Sequence, residues 1–142
     1  MDMRRGFLRK LKEREERRKL AFQRILEEMS GREIAIILFG SRARGESSAS
    51  SDFDILAIVK DKNIAKGVKE ALRREKIPSD LYIYDLEGAR RLLPFSSILL
   101  DALQEGVILL DKLGINELLK EAAELKKKGI GRVKGGWKIA VG

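Results

Sequence analysis

The chain has 142 residues and a mass of 16.1 kDa, the usual size of a single domain, and two large domains would not fit in it. Hydrophobic residues make up 44% and charged residues 37%, which is apolar enough for a core and too apolar for a disordered chain. Cysteine and histidine are absent, which excludes disulfide frameworks, zinc fingers, catalytic triads and imidazole acid–base chemistry. Any chemistry must therefore use carboxylates, hydroxyls, cations and bound metal.

The net charge of +8 belongs to the two ends of the chain. Residues 1–29 carry 10 Lys and Arg against 6 Asp and Glu, and residues 112–142 carry 8 against 3, whereas residues 30–111 carry 12 against 13. An anionic partner such as RNA would therefore be met by the ends. The scarcity of Asn, Gln and Cys beside abundant Lys, Arg and Glu resembles the composition of a thermophile's protein.

Membrane insertion and secretion are not expected. The longest apolar run near the front, residues 34–39, is far shorter than the ~20 residues that span a bilayer. No apolar signal segment follows the basic start. We therefore expect a cytoplasmic protein without membrane contact.

Hydrophobic periodicity predicts a mixed α+β fold. In chain order, the apolar patterns predict a helix over 7–29, strands over 34–39 and 53–59, a helix over 62–76, a strand over 80–84, helices over 86–93 and 96–104, a strand over 107–110 and a helix over 115–127. The strand over 53–59 is apolar on both faces beyond Asp54, which indicates a central place in its sheet. The first half of helix 7–29 is almost wholly polar, so it either projects into solvent as a frayed helix or meets a partner.

The composition divides the chain into a polar helical extension (1–19), a folded domain (20–128) and a basic, Gly-rich tail (129–142). From Lys126 onward there are six basic residues, five glycines and no acidic residue, which is typical of a flexible segment. Cations around Trp137 could grip nucleic acid by phosphate contacts and stacking. The alternative is a disordered or loosely docked end.

The most informative stretch, residues 40–54, lies between two predicted strands. Gly40 and Ser41 end a strand before a predicted short helix, where backbone N–H groups, the serine hydroxyl and the helix dipole favour a phosphate. Arg44 is close enough to add positive charge, and Arg42 reaches either a phosphate or solvent. The serine-rich segment 47–51 is typical of a flexible linker. Within it, Ser51 is a candidate nucleotide contact.

Carboxylates follow this loop. Asp52 and Asp54 are two residues apart at the start of a strand, so they project from the same side of the sheet. Asp80 opens the next strand, although Pro-Ser-Asp is also a turn signature. If the two strands are neighbours, the three carboxylates form the acidic edge that two-metal phosphoryl or nucleotidyl transfer needs, with metal ions ~3.5–4 Å apart. Tyr82 and Tyr84 share the face of Asp80 and either contact a base or acceptor or fill a half-exposed sheet face.

The pattern Gly-Ser-x-Ala-Arg-Gly, five residues, then Ser-Asp-x-Asp resembles the signature of the minimal nucleotidyltransferases within the DNA polymerase β-like superfamily, and it stands here without a departure. Asp80 matches the third carboxylate of that family in placement. Residues 98–110 resemble the helix, Glu-Gly turn and short strand that close such domains. The resemblance covers roughly residues 20–111.

The resemblance implies a mixed β-sheet flanked by helices that binds ATP with two Mg²⁺ ions and transfers AMP to a hydroxyl while pyrophosphate leaves. It implies that Gly40 and Ser41 bind the triphosphate and that Arg44 supports the phosphates. It also implies that Asp52 and Asp54 ligate metal. Asp80 would ligate metal and sit beside the acceptor hydroxyl as candidate base.

Small members of this family are commonly paired with a HEPN-domain protein, a helical ribonuclease toxin, and many are antitoxins that attach AMP to a tyrosine of that partner. A short chain with a bare catalytic fold fits this arrangement better than a drug-modifying enzyme, which usually carries a second domain for its acceptor. Three functions stay open at this point: an active nucleotidyltransferase acting on a HEPN toxin, an antitoxin that caps its partner without catalysis, and a nucleotidyltransferase or adapter that acts on RNA through the basic ends.

Overall fold

The computed structural model describes residues 3–45 and 52–141. Within these ranges the helices are α1 (Met3–Met29), α2 (Gly40–Ala43), α3 (Lys62–Arg74), α4 (Leu86–Leu92), α5 (Ser97–Glu105) and α6 (Asn116–Lys127), with a 3₁₀ turn at Leu93–Phe95. The strands are β1 (Ile34–Phe39), β2 (Phe53–Val59), β3 (Ser79–Asp85), β4 (Val107–Asp111), β5 (Gly131–Val133) and β6 (Gly136–Lys138). The prediction of a mixed α+β fold is confirmed.

Four strands form one mixed sheet in the order β3-β2-β1-β4. β1 is antiparallel to both β2 and β4, and β2 is parallel to β3. The interior position of β2 agrees with its apolar sequence, because both of its faces are covered. The pairing places Asp54 beside Phe39 on one side and beside Asp80 on the other.

Alternation along the strands divides the core into two layers. Odd residues of β2, such as Phe53 and Ile55, pack with α1 and α3 in one apolar cluster. Even residues, such as Leu56 and Ile58, pack with α4, α5 and α6 in the other. Asp54 therefore belongs to the α5 side of the sheet, where it stands at the end of a buried row.

The basic tail differs from the flexible segment that its composition favours. β5 and β6 pair as an antiparallel hairpin, with Arg132 opposite Trp137, and the Trp137 side chain packs against the α5–α6 cluster. The Gln104 amide nitrogen donates to the carbonyls of Ala122 and Ile130, both at 2.9 Å, which ties the hairpin to α5 and α6. The expectation failed because it weighed composition over the Gly-rich turn between two short strands, which is a hairpin signal.

The N-terminal helix begins at Met3, earlier than the predicted residue 7, and continues unbroken through the polar segment. Glu15 and Arg18 of this segment form an ion pair at 3.5 Å and both are half-buried, so they are not part of a fully solvated projection.

Within the described ranges, none of the helices combines the length and apolarity that a membrane crossing requires.

Candidate active site

The candidate site lies at the edge of the sheet where β1 ends and where β2 and β3 begin. The chain leaves β1 directly into the one-turn helix α2, and the Arg44 backbone N–H donates to the Gly40 carbonyl at 3.2 Å to close that turn. The Phe53 N–H donates to the Pro78 carbonyl at 3.0 Å, which fixes the start of β2 against the start of β3. The edge therefore presents residues from both halves of the 40–54 motif and from β3.

Gly40 is required by geometry at two levels. It is buried and has a φ of +77°, a conformation that residues with a Cβ rarely adopt. A Cβ at this position would also overlap the Oδ2 atom of Asp54 and would lie 3.1 Å from its Cγ. The glycine thus lets the turn approach the Asp54 carboxylate directly, so a phosphate held at the turn would lie beside that carboxylate.

The three predicted carboxylates lie at this edge, and the neighbouring strands that their clustering requires are present. Asp54 and Asp80 are register partners in parallel strands, and Asp52 precedes Asp54 by two residues. Burial raises the pKa of Asp54, the negative charges of Asp80 and then Asp52 raise it further, and the positive charge of Arg44 lowers it. Asp80 and Asp52 are thus close enough to Asp54 for their charges to act on it, and a cation at this edge would relieve that repulsion.

The donor set suits magnesium. Within residues 3–45 and 52–141, no three carboxylates are drawn together tightly enough to enclose an ion on their own. Mg²⁺ is usually held by one or two carboxylates together with water and substrate phosphates, so such an enclosure is not needed. Asp54 and Asp80 supply hard oxygen donors, and the Gly40 turn leaves space for a phosphate beside them.

Tyr82 lies next to these carboxylates on the same face of the sheet. Its ring packs against Phe39 with the centroids 5.7 Å apart, and the pair contributes to the α5-side cluster. Burial raises the pKa of the Tyr82 hydroxyl, and the charges of Asp80 and Asp54 raise it further. Tyr82 thus fills the sheet face beneath the acidic edge while it remains close to the carboxylates.

The two arginines of the motif go to opposite sides of the sheet. Arg42 lies on the α1 side, where its guanidinium stacks 3.8 Å from the ring centroid of Phe53 and pairs with Glu15 at 3.4 Å. Arg44 lies on the α5 side, where Nη1 donates to both oxygens of Asp101 at 3.2 and 3.4 Å. Arg44 therefore shares the side of Asp54, whereas Arg42 links α2 to the N-terminal helix.

Asp101 and Glu15 are the residues near the site that sequence reasoning missed. Asp101 pairs with Arg44, which is 57 positions away in the sequence, and Glu15 pairs with Arg42, which is 27 positions away. No local spacing rule predicts such pairs; the only sequence signal was the lone carboxylate in the apolar helix over 96–104. Ser41 is half-buried beside Gly40 in the turn that begins α2, and Ser51 lies outside the described residues.

Comparison with known proteins identifies a family model that matches most of the chain. Residues 19–128 match the model of the nucleotidyltransferase domain. No curated protein sequence matches the chain. Among solved structures, a toxin–antitoxin crystal structure with AMP-PNP is 21% identical with a TM-score of 0.45, covering 76% of this chain and 86% of that chain. One chain in the structure of a tri-AMPylated Shewanella oneidensis HEPN toxin in complex with MNT antitoxin is 20% identical with a TM-score of 0.40, covering 75% of this chain and 82% of that chain.

Proposed function

The chain belongs to the nucleotidyltransferase domain family, and we propose that it transfers AMP from ATP to a hydroxyl group of a protein partner, with Mg²⁺ bound at the acidic edge. The observation that carries the proposal is the approach of the Gly40 turn to Asp54, in register with Asp80. The turn that we propose binds phosphate is thereby adjacent to Asp54 and to the carboxylates whose charges act on it. This is the combination that metal-assisted phosphoryl chemistry uses.

The residues present divide into two roles. Asp52, Asp54 and Asp80 would hold Mg²⁺ together with water and the substrate phosphates, and the ion would supply charge neutralisation for the phosphates and a lower pKa for a bound hydroxyl. Gly40 and Ser41 would hold the triphosphate of the substrate through the turn that begins α2.

In the proposed reaction the acceptor oxygen forms a bond to the α-phosphorus of ATP. The bond from that phosphorus to the bridging oxygen breaks, and pyrophosphate leaves with the electron pair. The proton of the acceptor hydroxyl goes to a carboxylate at the edge. Asp80 is the candidate base because it is exposed at the start of an edge strand, where an acceptor side chain can reach it.

We further propose that the acceptor is a tyrosine of a HEPN-domain toxin and that this chain acts as its antitoxin. The support is the resemblance of residues 40–54 and 98–110 to the minimal nucleotidyltransferases that act in this way. Like charges that raise the pKa of Asp54 also favour catalysis over simple capping, because a binding scaffold gains nothing from repulsion at that edge. RNA binding by the tail has weaker support, since Trp137 packs against the core.

A labelling experiment tests the proposal. The purified protein is incubated with Mg²⁺, the product of the neighbouring gene, and ATP labelled on either the α- or the γ-phosphate. We expect the partner to acquire label from α-labelled ATP only, and Asp54→Asn to abolish the transfer. Asp61→Asn is the matched control, because Asp61 caps α3 beyond the far end of β2 and asparagine can also cap a helix.

The other outcomes identify the competing functions. Transfer of the γ label alone would show a kinase and would refute the proposal. If the two proteins co-purify and neither label moves, the capping antitoxin becomes the better account. Full activity in Asp54→Asn would refute the assignment of the acidic edge.

A further inference from the structure

The contact between Arg44 and Asp101 joins the motif loop to α5 across the α5 side of the sheet. Nη1 of Arg44 donates to both carboxylate oxygens of Asp101, at 3.2 and 3.4 Å. The side chains are 23% and 14% exposed, so the pair is largely sheltered from water. A sheltered, charge-assisted contact of this kind is stronger and better defined than a surface ion pair.

The position of Asp101 is fixed by the helix that carries it. α5 is capped by the Ser96 hydroxyl, which accepts from the Leu99 N–H at 3.2 Å, and Leu100 and Ala102 on either side of Asp101 are buried. Burial raises the pKa of Asp101, whereas the charge and hydrogen bond of Arg44 lower it. The carboxylate is therefore held in place by its helix, and Arg44 compensates its charge more than Arg132 does.

Arg44 is the C-cap residue of α2, and fixing the position of its long side chain costs rotamer entropy that a contact such as the one with Asp101 offsets. Its charge reaches Asp54, whose pKa it lowers. An arginine placed there would meet the phosphates of a nucleotide bound at the Gly40 turn, and guanidinium geometry suits phosphate oxygens. Arg42 does not offer this, because it is stacked on Phe53 on the opposite side of the sheet.

We propose that Asp101 is a positioning residue for nucleotide binding: it holds the Arg44 guanidinium on the α5 side of the acidic edge, beside Asp54, where the nucleotide phosphates bind. The proposal rests on the proposed function for the identity of the substrate. It adds a role for α5, a helix that contributes no residue to the 40–54 motif. Asp101 itself does not touch the substrate.

The test measures binding of ATP with Mg²⁺ by calorimetry and AMP transfer kinetics in the full chain. Asp101→Asn should raise the Kd for ATP by about 10-fold, with the larger effect on KM than on kcat. Asp101→Glu keeps the charge and should recover part of the affinity. Glu105→Gln is the matched control, because Glu105 lies one turn further along α5 and pairs with Lys126 and Arg132 instead.

A double-mutant cycle separates positioning from a general structural role. In an Arg44→Ala background, Asp101→Asn should cause no further loss of ATP affinity, because the group that Asp101 holds is absent. An equal loss in both backgrounds would overturn the proposal, as would wild-type affinity in Asp101→Asn. Thermal unfolding of each variant confirms that it is folded.

Failure of the proposed function is distinguishable from failure of this inference. If the wild-type protein binds ATP and the cycle shows coupling, but no AMP reaches the partner, positioning stands and the transfer reaction is refuted. If AMP is transferred and the cycle shows no coupling, positioning is refuted and transfer stands. A wild-type protein that binds no ATP overturns both.

Discussion

Replacement of Gly40 by alanine perturbs the site at the closest approach of the turn to a carboxylate. Gly40 has a φ of +77°, and a Cβ there would overlap Oδ2 of Asp54 and lie 3.1 Å from its Cγ and 3.3 Å from its Cβ. Gly45 offers a matched control, because it has a φ of +71° and no atom of residues 3–45 or 52–141 lies within 4 Å of a Cβ placed there. Both substitutions strain the backbone, and only the first displaces Asp54.

The two effects have different sizes. A residue with a Cβ in the left-handed region lowers the free energy of unfolding by about 1–2 kcal/mol. Alanine offsets about 0.4–1 kcal/mol of this, because it restricts the unfolded chain more than glycine does. Gly45→Ala should therefore reduce the free energy of unfolding by about 1 kcal/mol. Gly40→Ala should reduce the free energy of unfolding by about 1–3 kcal/mol more than Gly45→Ala, the usual range for an atom forced into a packed region. For a chain of this size each kcal/mol lowers the Tm by about 3 °C.

Urea unfolding and AMP transfer, measured on both variants, test this reasoning. Gly40→Ala should be folded, less stable than Gly45→Ala, and inactive, because the Asp54 carboxylate must move away from the turn. Gly45→Ala should keep its activity. Equal stability and equal activity in the two variants would refute the close approach of the turn to Asp54.

Three further predictions follow from other contacts. Asp54→Asn removes one of the repelling charges, so without Mg²⁺ it should stabilise the fold by about 1 kcal/mol near neutral pH, as measured by urea unfolding. Burial and Asp80 raise the pKa of Asp54, so its contribution to stability is present in acid and is lost as pH rises through that native pKa. The advantage of Asp54→Asn should therefore shrink to nothing in acid. Trp137→Ala should lower the free energy of unfolding by about 2–3 kcal/mol in the same assay, because the ring packs against the α5–α6 cluster. Glu15→Gln should weaken its contact with Arg42 by about 0.5–1 kcal/mol, and faster hydrogen exchange in the first half of α1 would report it.

Each of these outcomes has a clear opposite. An Asp54→Asn protein that is less stable than wild type near neutral pH would contradict the repulsion at the acidic edge. Unchanged stability in Trp137→Ala would mean that the hairpin does not dock. Unchanged exchange in Glu15→Gln would mean that the pair with Arg42 does not hold α1.

Much of the site could be predicted because its geometry is local. Alternation alone places Asp52 and Asp54 on one side of β2, and the glycine at position 40 marks a turn that needs a positive φ. The position of Asp80 required one further condition, that its strand is a neighbour of β2, and the parallel pairing meets it. Burial on both faces likewise followed from the continuous apolar sequence of β2.

The rest depends on contacts between distant parts of the chain. Arg42 and Arg44 are two residues apart and look equivalent in the sequence, yet the one-turn helix α2 sends them to opposite sides of the sheet. Their partners, Glu15 and Asp101, belong to helices whose packing no local pattern specifies. The tail was misjudged because glycines that favour flexibility in isolation also permit a tight hairpin, and Trp137 then secures it to the core.

The central claim is tested most directly by the intact mass of the partner protein. The neighbouring gene product is co-expressed with the wild-type chain, with Asp54→Asn or with Asp61→Asn. It is then purified, and its intact mass is measured by mass spectrometry. The account predicts a partner heavier by one or more adenylyl groups with the wild type and with Asp61→Asn, and an unmodified partner with Asp54→Asn. An unmodified partner in all three, or an added phosphoryl group in place of AMP, would contradict it.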